Sequence, residues 1–255
     1  MPARDYLFAS PPKPYFPIGS ALATRLHYMV GQSHGGLLEH ALQGNQCPID
    51  GAIMTAAHAL TCKGTSAYHK TNMHDCIRAE LVRSFRAISG AVVIEEHQMR
   101  KYNKSRLDLI VDIAGQRFGV DYSACEVASS IKNQPTTILS DRYRTKKSKY
   151  AHYAELFNQQ YPDQPKMKII PLIFTTYGTP TQESHEFLKL IKTYSKGDFS
   201  VKSALCKIAA ISAHYNHGAV QSWRLAVTHR LDPQSHERPN GSKWQPAFQR
   251  WKAAK

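Results

Sequence analysis

Asp108, Asp121 and Lys146 have the types and the spacing to handle a phosphodiester. The two aspartates flank Ala114-Gly115, a plausible two-residue hairpin turn in which glycine supplies a positive φ. That turn fixes the register: Ile113 faces Gln116, Val111 faces Phe118, Leu109 faces Val120 and Leu107 faces Tyr122. Directly opposed residues share a face, so these eight make one mostly apolar side. On the other side Asp112 meets Arg117, and Asp108 falls opposite Asp121. Like charges directly opposed destabilise a sheet, and a divalent cation is the natural way to neutralise them. Mg²⁺ (or Mn²⁺) prefers oxygen ligands, takes one or two carboxylates and keeps several waters. Such an ion polarises a phosphoryl oxygen and activates water. The alternative is a surface hairpin whose two solvated aspartates stand further apart.

The elements around this pair follow from periodicity. A helix over about 138–157 puts Leu139, Tyr143, Lys146, Tyr150, Tyr153 and Phe157 on one stripe. A lysine on a core-facing stripe is rarely buried unless paired, and the aspartates are the obvious partners; snorkelling from the helix edge is the other reading. Lys146 would orient the attacking water or stabilise charge on the pentavalent phosphorus. Lys147 and Lys149 fall off the stripe and, with Arg142 and Arg144, suit contacts to the nucleic-acid backbone. An earlier helix over about 72–89 carries Met73, Ile77, Leu81, Phe85 and Ile88, and Gly90 ends it. Val92–Ile94 reads as a short strand, and Ile169–Phe174 as a central one, although Pro171 limits its start to an edge or a bulge. Thr179, with Pro180 at the first helical position and Gln182 completing a capping box, opens a helix that buries Phe187, Leu190, Ile191 and Tyr194. A last helix spans about 201–230. This pattern is α/β (α+β): a small mixed sheet flanked by helices. The expected segments are an N-terminal arm and helix (1–44), a Cys/His segment (45–71), the core (72–230) and a basic tail (231–255).

Composition narrows the partner. The 255 residues hold 33 Lys+Arg against 19 Asp+Glu, a formal charge of +14, with 42% hydrophobic residues. Such a chain is globular rather than a disordered basic tail, and its excess charge calls for a polyanion. The charge is uneven: 141–150 holds five basic side chains and two tyrosines, and the tail adds Trp244 and Trp251, which could stack on bases. A nucleic acid, DNA or RNA, is the expected partner; a soluble basic protein is the plainer alternative. No run of about 18 apolar residues exists, so no membrane partner is expected. The five cysteines are odd in number and do not read as a disulfide framework. The start has no apolar core of a secretory signal, and an intracellular location is expected; the nucleus is the expected compartment if the partner is DNA.

Arg106-x-Asp108, Asp121, and a lysine in a following helix that ends Lys149-Tyr150 together resemble the restriction-like endonuclease of non-LTR retrotransposons, within the PD-(D/E)XK superfamily. The flanks agree: HALTCKG (His58 to Gly64) with MHDCIRAEL (Met73 to Leu81) resembles the zinc-knuckle and helix block before that nuclease. IIPLIFTTYGTPTQESHEFL (Ile169 to Leu188) resembles the strand and helix after it, so the likeness runs from about Cys47 to Tyr215. The resemblance implies a PD-(D/E)XK core and Mg²⁺-dependent DNA nicking. Asp108 and Asp121 would be the metal ligands, Lys146 the active-site lysine and Tyr150 an auxiliary catalytic group. Arg106 would be the basic residue before the acid, and Glu80 a further carboxylate from the preceding helix. It also implies a place within a larger reverse-transcriptase protein, although no Asp-Asp dipeptide of a polymerase palm is present. Two positions depart from the superfamily: Leu107 stands where proline is usual, and Ser123 where the lysine often sits. A lysine moved to the helix is typical of the retroelement branch. A decayed, non-catalytic nucleic-acid-binding module on the same fold is the alternative.

Cys47, His58 and Cys62, with His69 or His74 beyond, have zinc-ligand types. Pro48, Ile49 and Asp50 supply no second close cysteine, so bound Zn²⁺ on Cys47, His58, Cys62 and His69 stands against a degenerate knuckle kept for packing. A zinc-stabilised scaffold whose charge serves solubility is a third reading. Cys76, Cys125 and Cys206 read as small apolar residues.

Overall fold

The computed structural model describes residues 44–54, 58–95, 106–126 and 135–231. The expected N-terminal arm and helix, and the basic tail with Trp244 and Trp251, lie outside the described residues. Within them the order is α1 (His58–Thr61), α2 (Ala67–Arg86), β1 (Val92–Glu95), β2 (Leu109–Ile113), β3 (Gln116–Cys125), α3 (Pro135–Gln160), β4 (Met167–Thr175), α4 (Gln182–Tyr194) and α5 (Val201–Leu231). The strands form one mixed sheet in the order β1-β2-β3-β4. The first two pairings are antiparallel and β3·β4 is parallel, with α3 making the crossover. The expectation of a small mixed sheet flanked by helices holds.

The hairpin register is the one the turn dictates: Ile113 pairs with Gln116, Val111 with Phe118, Leu109 with Val120 and Asp112 with Arg117. Ala114 and Gly115 both have positive φ, 48° and 72°, as a two-residue turn matching strand twist requires. Pairing stops at Leu109, however, and Asp108 sits in a bend just before the strand. The bend breaks the alternation. Leu109, Val111, Phe118, Val120 and Tyr122 pack toward α2, α4 and α5, whereas Leu107 packs with Ile110, Met167 and Ile169 toward α3. Leu107 therefore does not share a face with Leu109 and Tyr122, and Asp108 is not the ladder partner of Asp121. Nor is the hairpin half-buried, since Ile110 on its second face is 1% exposed. The close packing on that face needs Gly119: a Cβ there would come within 2.8 Å of Leu107 Cδ1.

Two other expectations shift. β4 is apolar on both faces but pairs only with β3 among the described strands, so it is an edge strand, the position Pro171 tolerates. Its outer edge is covered by the turn into α4: Thr181 N donates to the Ile173 carbonyl, and Ser184 Oγ accepts from Ile173 N. The cap is Thr181, not Thr179: its Oγ1 accepts from Ser184 N at 3.2 Å. Pro180 thus precedes the helix instead of opening it. Leu188 is buried in α4 where Leu190 was expected to be; Leu190 stays 37% exposed.

Gly178, in that turn, has φ +80°, and a Cβ there would lie 2.8 Å from Ala209 Cα of α5. Main chain meets main chain here, so neither side can yield. Gly178→Ala should lower unfolding stability by about 2 kcal/mol through strain and overpacking, read as a lower urea midpoint with an unchanged slope.

Candidate active site and metal-binding cluster

Asp121 lies on the face of β3 that α3 covers and is 4% exposed. Burying a carboxylate is costly unless it is paired and hydrogen-bonded. Two side chains of α3, one turn apart, do this: Lys146 Nζ stands 2.7 Å from Asp121 Oδ2, and the Tyr150 hydroxyl donates to Oδ1 at 2.7 Å. The same hydroxyl also lies 3.0 Å from the Arg106 carbonyl and accepts from Lys149 Nζ at 3.1 Å. Burial, with the charges of Asp121 and Asp108, pushes the Tyr150 hydroxyl far above its ordinary range. It is a fixed donor, not a base. One turn before Lys146, Arg142 Nε and Nη2 both donate to Ser123 Oγ at 3.2 Å. The stripe Arg142, Lys146, Tyr150 thus runs along Ser123 and Asp121, and Lys146 is paired as its position demanded.

Asp108 is held differently. Its Oδ2 accepts from the Tyr122 backbone N–H at 2.7 Å, and His74 Nε2 of α2 lies 3.3 Å from the same oxygen. Hydrogen bonding to Asp108, partly offset by burial, raises the His74 pKa above its usual value. Each carboxylate therefore has its own protein partner, Lys146 for Asp121 and the His74 imidazole for Asp108. The direct cross-strand opposition expected for the two acids is absent, because the bend takes Asp108 out of the ladder. What remains supports a hard cation in its donor chemistry. Asp121 Oδ2 has Lys146 close by but no aligned hydrogen bond, and Asp108 Oδ1 has no partner among the described residues.

Glu80 does not join this group. It is 3% exposed and bonds Arg83 Nη1 at 2.6 Å, Ser84 Oγ at 3.1 Å and Lys207 Nζ of α5 at 2.8 Å, which ties α2 to α5. Arg142, Arg144, Lys147 and Lys149 are exposed along α3. Arg144 pairs with Asp141 at 3.5 Å, and Lys147 and Lys149 lie over the rings of Tyr143 and Tyr150 at 5.8 and 4.6 Å. Arg106 is exposed beside Tyr150.

A second group forms around α1. Cys47, Asp50, His58 and Cys62 offer ligand atoms that all lie within 4.8 Å of one another, so the cluster could hold a metal ion. Asp50, not His69, is the fourth member. His69 lies on α2, 2.9 Å from Ser222 Oγ, with Gly218 of α5 against its ring. Asp50 is fixed by Lys63 N at 2.8 Å and Ala52 N at 3.2 Å. Burial opposes its ionisation, but these donors outweigh it and hold the carboxyl below 3.8. Burial pushes the Cys62 thiol up to about 11, so a metal must displace its proton to bind. The spacing Cys-x₂-Asp-x₇-His-x₃-Cys was visible in the sequence; the search for sulfur ligands passed over the carboxylate. The cluster rests on α5, where His58 meets Trp223 edge-on at 6.5 Å.

No protein-family model and no curated protein sequence matches this chain.

Removing the cation from a buried pair costs far more than the pair is worth. Lys146→Met should therefore destabilise the protein by about 3 kcal/mol without added Mg²⁺. Asp121→Asn in the same chain should recover most of that loss, and a double-mutant cycle by urea unfolding measures the coupling.

Proposed function

We propose that the protein is a metal-dependent DNA endonuclease of the PD-(D/E)XK type, similar to the restriction-like nuclease of non-LTR retrotransposons. The observation behind this reading is the buried Asp121 with Lys146 Nζ at 2.7 Å and the Tyr150 hydroxyl on its other oxygen. A paired acid, a lysine and a second carboxylate next to a basic helix suit phosphodiester hydrolysis better than any other common reaction. Asp108 and Asp121 would hold Mg²⁺ or Mn²⁺, which when bound supplies Lewis-acid polarisation of the scissile phosphate. Tyr150 keeps the Asp121 carboxylate in one orientation. The Lys146 ammonium, once Asp121 is otherwise neutralised, can donate to the attacking water or to a phosphate oxygen. Arg142, pre-oriented by Ser123, and the exposed Arg144, Lys147 and Lys149 would hold the backbone on the same side of α3. A DNA substrate would place the protein in the nucleus, as part of a larger reverse-transcriptase protein.

Zn²⁺ is the proposed occupant of Cys47, Asp50, His58 and Cys62, because two thiolates and an imidazole favour it over harder ions. The cluster is buried and offers four ligands, which suits a structural ion. Its position against Trp223 would pin the 44–62 segment to α5.

One observation favours the second reading, a non-catalytic nucleic-acid-binding module: His74 and Lys146 already stand within ion-pair distance of the two carboxylates without any ion. Supercoiled plasmid with Mg²⁺ or Mn²⁺ decides between them. The nuclease should nick it, and Asp108→Ala and Lys146→Ala should each slow nicking at least about 100-fold. Salt-sensitive DNA binding without nicking would establish the module instead. Metal analysis should give one zinc per chain, reduced in Asp50→Ala and unchanged in His69→Ala.

A further inference from the structure

Asp108 poses a problem that the nuclease reading leaves open. It stands in a bend outside the β2·β3 ladder, so strand pairing does not aim its side chain. Both contacts that hold it fall on one oxygen: the Tyr122 N–H donates to Oδ2 at 2.7 Å, and His74 Nε2 lies 3.3 Å from the same atom. They come from different elements, β3 and α2, and together they stop the carboxylate from rotating. The oxygen they leave over is Oδ1. His74 is itself braced: its Nδ1 lies 3.4 Å from Asp75 Oδ1, and its ring sits 5.6 Å from the Tyr122 ring. An imidazole with a carboxylate on its far nitrogen is oriented and made a better donor.

Resting on the nuclease reading, we propose that His74 is a positioning residue for the metal site: it locks Asp108 so that Oδ1 is presented to the ion, with Asp75 aligning the imidazole. The role is orientation, not ligation. His74, Asp108 and Asp121 do not meet as one tight group of the kind formed by Cys47, Asp50, His58 and Cys62. Without His74, one backbone N–H remains to hold Asp108, and the carboxylate must be ordered by the ion itself. Loss of such an outer partner typically weakens a metal site about 10–100-fold.

Mn²⁺ binding to the full, zinc-loaded chain, followed by electron paramagnetic resonance, tests this, with Asp121→Asn identifying the signal of this site. His74→Ala should raise the Mn²⁺ dissociation constant about tenfold or more, and the Mn²⁺ concentration for half-maximal plasmid nicking should rise with it. His74→Gln, which can keep an N–H donor near the Nε2 position, should recover most of the affinity. Unchanged or tighter Mn²⁺ binding in a folded His74→Ala protein that still nicks would overturn the positioning role and leave the nuclease standing; tighter binding would mean that His74 acts only as a competing cation. A wild-type chain that neither binds Mn²⁺ at this site nor nicks would overturn both.

Discussion

A buried carboxylate on the middle strand pair is the constraint on which this molecule depends. Asp121 sits between the sheet and α3, where an unpaired charge could not persist. Lys146 and Tyr150 satisfy it from successive turns of one helix, and that fixes the rotation of α3 on the sheet. The apolar residues of the same stripe, Tyr153, Ala154 and Phe157, then pack on Ile110, Met167 and Ile169. Ion pair and hydrophobic layer require the same helix rotation. Yet a buried ion pair rarely stabilises more than apolar residues of the same size would. Stability alone therefore does not explain why a lysine interrupts this stripe; the proposed chemistry at the carboxylate would.

The two groups able to bind metal differ in the way the two proposed tasks require. Cys47, Asp50, His58 and Cys62 form a compact, mostly buried set with two sulfurs, suited to an ion that holds chain segments together. Asp108 and Asp121 offer only hard oxygens, keep a lone pair each, and stand beside exposed cations of α3. One group is closed by its own ligands. In the proposed nuclease the other would leave coordination positions for water and a phosphate oxygen, without which a metal cannot act on a substrate.

Local rules made much of this legible in the sequence. The Ala114-Gly115 turn gave a correct register because two-residue hairpins allow little choice. Lys146 was readable as paired because helical spacing put it in line with Tyr150 and Phe157. What escaped the reading depended on contacts between distant segments or on a break in a period. Nothing in the spacing announces the bend at Asp108 that turns Leu107 to the opposite face. His74 meets Asp108 only because α2 crosses the end of the sheet, a packing fact that no periodicity encodes. Glu80 was misassigned for a related reason: its partner Lys207 lies on a helix far along the chain. Asp50 was a different failure, since its spacing was visible but a carboxylate was not expected among zinc ligands.

The bend at Asp108 also gives the two acids separate partners. Had Asp108 continued the ladder, it would have faced Asp121 on the α3 side, and Lys146 would have had to serve both. Leaving the ladder lets Asp108 be held from the α2 side, by His74 and a backbone N–H, while Asp121 is held from the α3 side. The sheet separates the two counter-ions, so neither helix has to move for the other carboxylate to change its partner. Tyr150, whose hydroxyl is pushed up by burial first and then by the bond to Asp121 and both negative charges, links the two sides. Each acid is thus separately held, yet each keeps an oxygen without an aligned donor among the described residues, which is where the proposed ion would bind.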